Sequence, residues 1–164
     1  MNPPPTDKPW THCHRQLAPR LLLYARQWLA SPADAGDAVQ AAFVKFWQRQ
    51  PHAPPEHWPL LYAAVRSTAL DRLRSADRRS RREAHPEMSV LREDAPFFDQ
   101  PLKQREDAQI AEKALRELPI EQREVLVLRI WGGLTFAEIA DTLDESINTV
   151  AARHRFASPR CARN

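Results

Sequence analysis

Glycine is scarce in this chain, three residues in 164, and the few present form no loop that could cradle a phosphate. The same scarcity argues against a turn-rich β sandwich, whose tight turns draw on glycine. Cysteine is nearly absent: Cys13 and Cys161 lie at opposite ends, which excludes a disulfide framework or a CxxC pair. No apolar run approaches the ~20 residues that cross a bilayer. The opening Met1-Asn2-Pro3-Pro4-Pro5 lacks the charged and apolar parts of a signal sequence. The chain is therefore expected to stay in the cytoplasm, with no membrane insertion. No GxSxG, HExxH or P-loop spacing occurs, so no enzymatic site is expected. His12-Cys13-His14 holds metal-ligand types, but adjacent residues do not converge on one ion and no second cluster follows. Neither a metal nor a cofactor is expected.

Proline, by contrast, is abundant at 15 residues, and apolar residues make up 43% of the chain, enough for packed cores. The prolines fall where helices would end. After a loose start through Pro9, Leu17, Leu21, Leu22, Tyr24, Ala25, Trp28 and Leu29 recur at helical spacing. Pro19 should lie near the start of that helix or kink it. Ser31-Pro32-Ala33-Asp34 is helix-start chemistry: a Ser cap, Pro in the first position and an acid three after the cap. The helix that follows should run to about Arg49 and stop before Pro51. Ala35, Val39, Ala42, Phe43 and Phe46 form its apolar stripe, with Trp47 beside it. Asp37, Gln40 and Lys45 face away.

A Pro-rich loop at 50–57 leads to a third helix, from about Trp58 to Arg82, with Leu61, Val65, Ala69 and Leu73 at four-residue steps. From Arg66 to Arg82 it carries Arg66, Arg72, Arg74, Arg78, Arg79, Arg81 and Arg82 against Asp71 and Asp77. Such a run is either a solvated basic helix end or a surface that draws phosphate backbones. Residues 84–106 lose periodicity and read as a flexible linker. The helical signal resumes near Ala108 with Ile110, Ala114, Leu115 and Leu118. A further helix, Ile120 to Trp131, carries Val125, Leu126, Leu128 and Ile130 and ends at Gly132-Gly133, a left-handed stop.

Thr135 and Glu138 then have capping-box spacing, and Ile139, Ala140 and Leu143 face inward on a short helix. Ser146 caps a second helix with a polar and basic outer face, Asn148, Thr149, Arg153 and Arg155, while Val150 packs back. The pair is a helix-turn-helix, or else an ordinary helical hairpin. Major-groove entry requires donors to phosphates and base edges on the second helix, and these residues supply them. The fold class expected is all-α: two small helical domains joined by a flexible linker, the second containing the helix-turn-helix.

Three segments narrow this further. Asp37-Ala38-Val39-Gln40-Ala41-Ala42-Phe43-Val44-Lys45-Phe46-Trp47 resembles the polymerase-binding helix of RNA polymerase sigma factors of the sigma-70 family. Trp58 to Arg74 resembles that family's promoter-melting helix. Leu118-Pro119-Ile120-Glu121-Gln122-Arg123-Glu124-Val125-Leu126 is similar to the opening of its C-terminal domain. With the helix-turn-helix, the resemblance covers about residues 20–157, and its form is that of the small extracytoplasmic-function subfamily. The resemblance implies a polymerase-binding and −10 melting domain at 10–83, a linker at 84–106 and a −35-reading domain at 107–164. It places Asp37, Gln40, Lys45 and Trp47 on the polymerase-binding helix, with Trp47 equally able to pack in the core. It gives strand opening at −10 to Trp58, Tyr62, Arg66, Arg72, Arg74 and Arg78, beside a base-capturing loop at 50–57. It puts Ser146, Asn148, Thr149, Ala152, Arg153 and Arg155 on the −35 recognition helix. Partners implied are core RNA polymerase, promoter DNA and an anti-sigma protein.

Two departures stand out. Where the family has Gly then Ile or Val in the turn, this chain has Asp144 and Glu145, and the latter is expected to loosen a normally buried spot. Where the family continues a Leu-rich helix, this chain has Ser158-Pro159-Arg160-Cys161, and Pro159 is not expected inside a helix. The domain is therefore expected to be shortened, less stable and weaker at −35. The competing readings are a stand-alone helix-turn-helix regulator, which leaves the Asp37–Trp47 helix without a purpose, a degenerate sigma factor, and more distantly a nucleic-acid-processing enzyme.

Overall fold

The computed structural model describes residues 8–52, 58–82 and 104–161, with side chains at 10–52, 58–82 and 110–158. Seven helices and no strand occur among the described residues: α1 (Lys8–Ala25), α2 (Pro32–Arg49), α3 (Trp58–Arg82), α4 (Gln104–Arg116), α5 (Ile120–Ile130), α6 (Phe136–Leu143) and α7 (Ile147–Cys161). The all-α expectation holds. Residues 53–57 of the base-capturing loop and 83–103 of the expected linker lie outside the described residues, and α4 already begins at Gln104, within the span read as linker.

α1, α2 and α3 pack on one another, and α5, α6 and α7 form a second group with α4 against α7. The first group is centred on Leu17, Leu21, Tyr24, Ala35, Val39, Leu61 and Val65, the second on Leu115, Val125, Leu128, Ile139 and Val150, all buried. The two groups touch, α3 against α6 and α1 against α5, and their cores join in one apolar cluster.

α2 follows its sequence signals closely. Ser31 Oγ accepts from Asp34 N (3.3 Å), Pro32 takes the first position, and the helix ends at Arg49 ahead of Pro51. Both ends of α6 are equally well marked. Thr135 Oγ1 accepts from Glu138 N (3.2 Å), and Glu138 Oε2 accepts from Thr135 N (2.7 Å), which completes the capping box. At its other end Asp144 adopts φ 55°, a left-handed conformation that Asp tolerates better than most residues. Gly133 plays the same part after α5, with φ 70°.

Several expectations require correction. α1 ends at Ala25 although its apolar pattern continues, because Gln27 Nε2 donates back to the Leu23 carbonyl (3.0 Å) and the chain tightens through Gln27 N to Tyr24 O (3.1 Å). Trp28 and Leu29 are still buried, but from the turn. Of the two alternatives for Pro19, a place near the helix start is not the one it takes: it lies in the interior of α1 with its ring exposed. Ile110 and Ile130 belong to apolar stripes yet are more than half exposed. α7 runs through Pro159 to Cys161: so near the helix end, the proline removes a single backbone bond, to Arg155, without stopping the helix. Glu145 is not buried. Its side chain turns outward to Arg153, while its N–H closes on Ala140 O (3.0 Å), so the turn is held and not loosened.

Candidate polymerase and nucleic-acid interface

The α2 positions 37, 40, 44 and 47 fall on one face at spacings of three, four and three. Asp37, Gln40, Val44 and Trp47 are all exposed there, with Lys45 on its flank. Trp47 is 52% exposed, so it is not core. Val44 is exposed beside it, a member of this face that an apolar stripe hides in the sequence. The face adjoins an open groove against α1, lined by Trp10, Thr11, His14, Phe43, Val44 and Trp47. Trp10 fixes one wall, its Nε1 donating to the Pro51 carbonyl (2.8 Å) and its ring meeting Phe46 edge-on. His14 packs at a tilt against Phe43, ring centroids 4.8 Å apart, and lines the groove. Among the described residues no group of three His, Cys, Asp or Glu could hold an ion.

On α3 the basic residues divide in two. Arg74 and Arg78 project from its exposed C-terminal half, with Arg74 near Asp71 (3.4 Å) and Arg78 on Ser75 (3.2 Å). Pairs this exposed contribute little and give way readily to phosphate. Arg72 reaches back to α2, 3.9 Å from both Asp34 and Asp37, so one residue of the strand-opening set and one of the polymerase set share a contact. The N-terminal half is more enclosed. Trp58 is half-buried, and Tyr62 is 1% exposed, packed edge-on against Tyr24 at 5.5 Å between centroids. Burial pushes the Tyr62 hydroxyl up to about 12, and its oxygen has no partner among the described residues.

Arg66 is tied to the second domain. Its Nε donates to Glu124 Oε1 (2.7 Å), and the same oxygen accepts from the Tyr24 hydroxyl (2.7 Å). Desolvation alone lowers the guanidinium's affinity for its proton. The Glu124 charge and hydrogen bond, with Tyr24 and Glu145 beyond, outweigh it and raise the value. Tyr24 is raised well above its ordinary value, first by burial and then by the same carboxylate. Glu124 carries no signal in the sequence, where a lone acid beside an apolar stripe reads as surface.

The outer face of α7 presents Asn148, Ala152, Arg155 and Phe156, at positions within one helical stripe. Ser146 and Thr149 are committed to the cap, Ser146 Oγ accepting from Thr149 N (3.1 Å) with the two hydroxyls 2.8 Å apart. Arg153 sits to one side, its Nη2 donating to Glu145 Oε1 (3.0 Å). Val150 is fully buried on the other side, against the helix that precedes it.

The family model for sigma-70 region 2 matches residues 13–79, and that for sigma-70 region 4 matches residues 108–160. A comparison with curated protein sequences returns no match. Among solved structures, the chain is similar to the sigma factor RpoE of Bartonella quintana, determined in complex with the anti-sigma factor NepR. That likeness has 23% sequence identity and a TM-score of 0.68 and covers 94% of each chain. The two regions together account for most of the chain and contain α2, α3 and the helix-turn-helix in order, so the chain belongs to the sigma-70 family and is a promoter-recognising sigma factor.

Proposed function

We propose that the surfaces divide the sigma task as follows. The α2 face of Asp37, Gln40, Val44 and Trp47, flanked by Lys45, docks on core RNA polymerase. Trp58, Tyr62, Arg66, Arg72, Arg74 and Arg78 of α3 hold the nontemplate strand as the −10 element opens. Asn148, Ala152 and Arg155 on the outer face of α7 meet −35 bases and phosphates, with Ser146, Thr149 and Arg153 at its edge. The domains are those at 10–83 and 107–164, joined through 84–106. The protein performs no chemistry of its own and works in the cytoplasm, and an anti-sigma protein is a further partner, by analogy with the Bartonella complex.

The observation that carries this reading is the composition of the α2 face. A helix that buries Ala35, Ala38, Val39, Ala42 and Phe43 on one side leaves an acid, an amide and two large apolar side chains exposed on the other. A stripe of that kind, polar at its N-terminal end and apolar at its C-terminal end, fits a protein partner better than water. The test is co-elution of the full chain with bacterial core polymerase. The Asp37→Arg, Gln40→Ala double variant, folded by circular dichroism, should lose co-elution; retention at wild-type level would remove the docking face from α2.

A further inference from the structure

A large apolar side chain stands on the face of α7 that is assigned to DNA. Phe156 is 60% exposed, more than Trp47, and lies on the outer face, away from the buried Val150 and Ala157. It comes four residues after Ala152, itself four after the exposed Asn148, so the three follow one line along the helix. At 1.5 Å per residue that line is ~12 Å long, the length of about three or four base pairs at ~3.4 Å each. A helix about as wide as the major groove can lay such a line against consecutive base edges.

What the line offers is selective. Guanine presents two acceptors and calls for an Arg or Lys fork, and cytosine presents a donor and calls for an acid. α7 contains no Lys, Asp or Glu. Of its arginines with described side chains, Arg153 donates to Glu145 Oε1 (3.0 Å) and Arg155 lies over the Phe156 ring, 5.6 Å from its centroid. The Ser146 and Thr149 hydroxyls close the helix cap. The line itself therefore carries one amide and two apolar groups. An amide matches the N6 donor and N7 acceptor of adenine, and a methyl or a ring meets the thymine C5-methyl. Recognition helices enter the groove N-terminus first, so base edges lie farther from the axis at Phe156, and its longer side chain covers that gap.

We propose that Asn148, Ala152 and Phe156 make the −35 element of this sigma factor a run of about three or four A·T pairs, with Asn148 on an adenine and Ala152 and Phe156 on thymine methyl groups. This rests on the assignment of the outer face of α7 to the −35 element. Arg155, leaning over Phe156, steadies the ring and keeps its N–H groups for a flanking phosphate. Phe156 is then a specificity-determining residue that the polar and basic pattern of the helix conceals.

The test uses the full chain assembled with bacterial core polymerase and a pool of promoter duplexes, pre-opened at −10 by a mismatched bubble and randomised across the −35 element. Sequencing the retained duplexes should return an A·T run. In the best retained duplex, deoxyuridine in place of a thymine removes only the C5-methyl, and at the contacted positions this should weaken binding about fourfold, the loss of one buried methyl. Phe156→Ala should abolish that penalty at one position and keep it at another. Asn148→Ala should lower the preference for adenine at one position about tenfold. Arg155→Ala should weaken all duplexes alike and flatten the salt dependence. A G·C-rich element that still changes with Asn148→Ala or Phe156→Ala would overturn the A·T reading while leaving α7 on the −35 element. An A·T run in which deoxyuridine costs the wild type nothing would overturn it too, and that comparison needs no variant to fold. An element indifferent to every α7 substitution, or no element at all, would remove α7 from −35 and the proposal with it. Weaker retention of all duplexes by Phe156→Ala, with base preference and deoxyuridine penalty unchanged, would make the ring a protein contact and overturn its reading role.

Discussion

The chain has two tyrosines, and the same one-atom deletion should act in opposite directions on them. Tyr24 and Tyr62 are both essentially fully buried and their rings touch. The Tyr24 hydroxyl donates to a carboxylate, whereas the Tyr62 hydroxyl has no partner among the described residues. Hydrogen bonds to charged groups contribute ~1.5–3 kcal/mol, so Tyr24→Phe should destabilise by about that much. An unpaired buried hydroxyl costs ~1–3 kcal/mol, so Tyr62→Phe should recover part of it and stabilise by ~1 kcal/mol. In a chain of this length each kcal/mol moves the melting temperature by ~2–4 °C. The variants should therefore bracket the wild type, Tyr62→Phe above and Tyr24→Phe below.

Alkaline pH gives an independent check. In the unfolded chain Tyr62 loses its proton near 10, but in the fold only near 12, so between those values the folded state holds a proton the unfolded chain has released. That stability is complete below pH 10 and is lost as pH rises through about 12. The displacement corresponds to ~3 kcal/mol. Thermal melts by circular dichroism at pH 7 and pH 11, with tyrosinate absorbance at 295 nm, would show a steep alkaline loss in wild type and a shallower one in Tyr62→Phe. A Tyr62→Phe protein that melts below wild type at pH 7, or that keeps the whole alkaline loss, would refute the reasoning. Phe keeps the ring face, so if Tyr62 stacks on an extracted base, the substitution should leave promoter opening intact.

Two further outcomes follow from the helix-turn-helix. Asp144→Gly should stabilise by ~0.5–1 kcal/mol, because the left-handed φ of 55° costs an L residue something that glycine avoids; a lower melting temperature would mean that the Asp side chain contributes more than the conformation costs. Thr135→Ala and Glu138→Ala should each destabilise by ~1 kcal/mol and the double variant by less than their sum, since each holds the other's backbone; strict additivity in thermal melts would deny the reciprocal box.

Local chemistry was legible in the sequence wherever it was self-contained. Ser31-Pro32 at one end of α2 and Pro51 beyond the other, the Thr135–Glu138 box, and the aspartate in a left-handed turn each depend on a few adjacent residues, and each sits where the pattern puts it. Periodicity was less reliable at the margins. Ile110 and Ile130 keep helical spacing but fall at the edges of their stripes, where a rotation of one residue separates core from solvent. The end of α1 had no local mark, since neither glycine nor proline occurs in residues 26–30. Its stop comes from Gln27 bending back to Leu23 and from Trp28 and Leu29 seeking the core, which is tertiary packing overruling a pattern that would have continued.

The contact between the domains was out of reach for a different reason. A charged residue on a helix is read as solvent-facing because a buried charge costs too much without a partner, and the partners of Glu124 lie 58 and 100 positions away in sequence. Only the fold can supply them. The same fact makes the contact informative, because a carboxylate is tolerated in so dry a place only if something cationic meets it there.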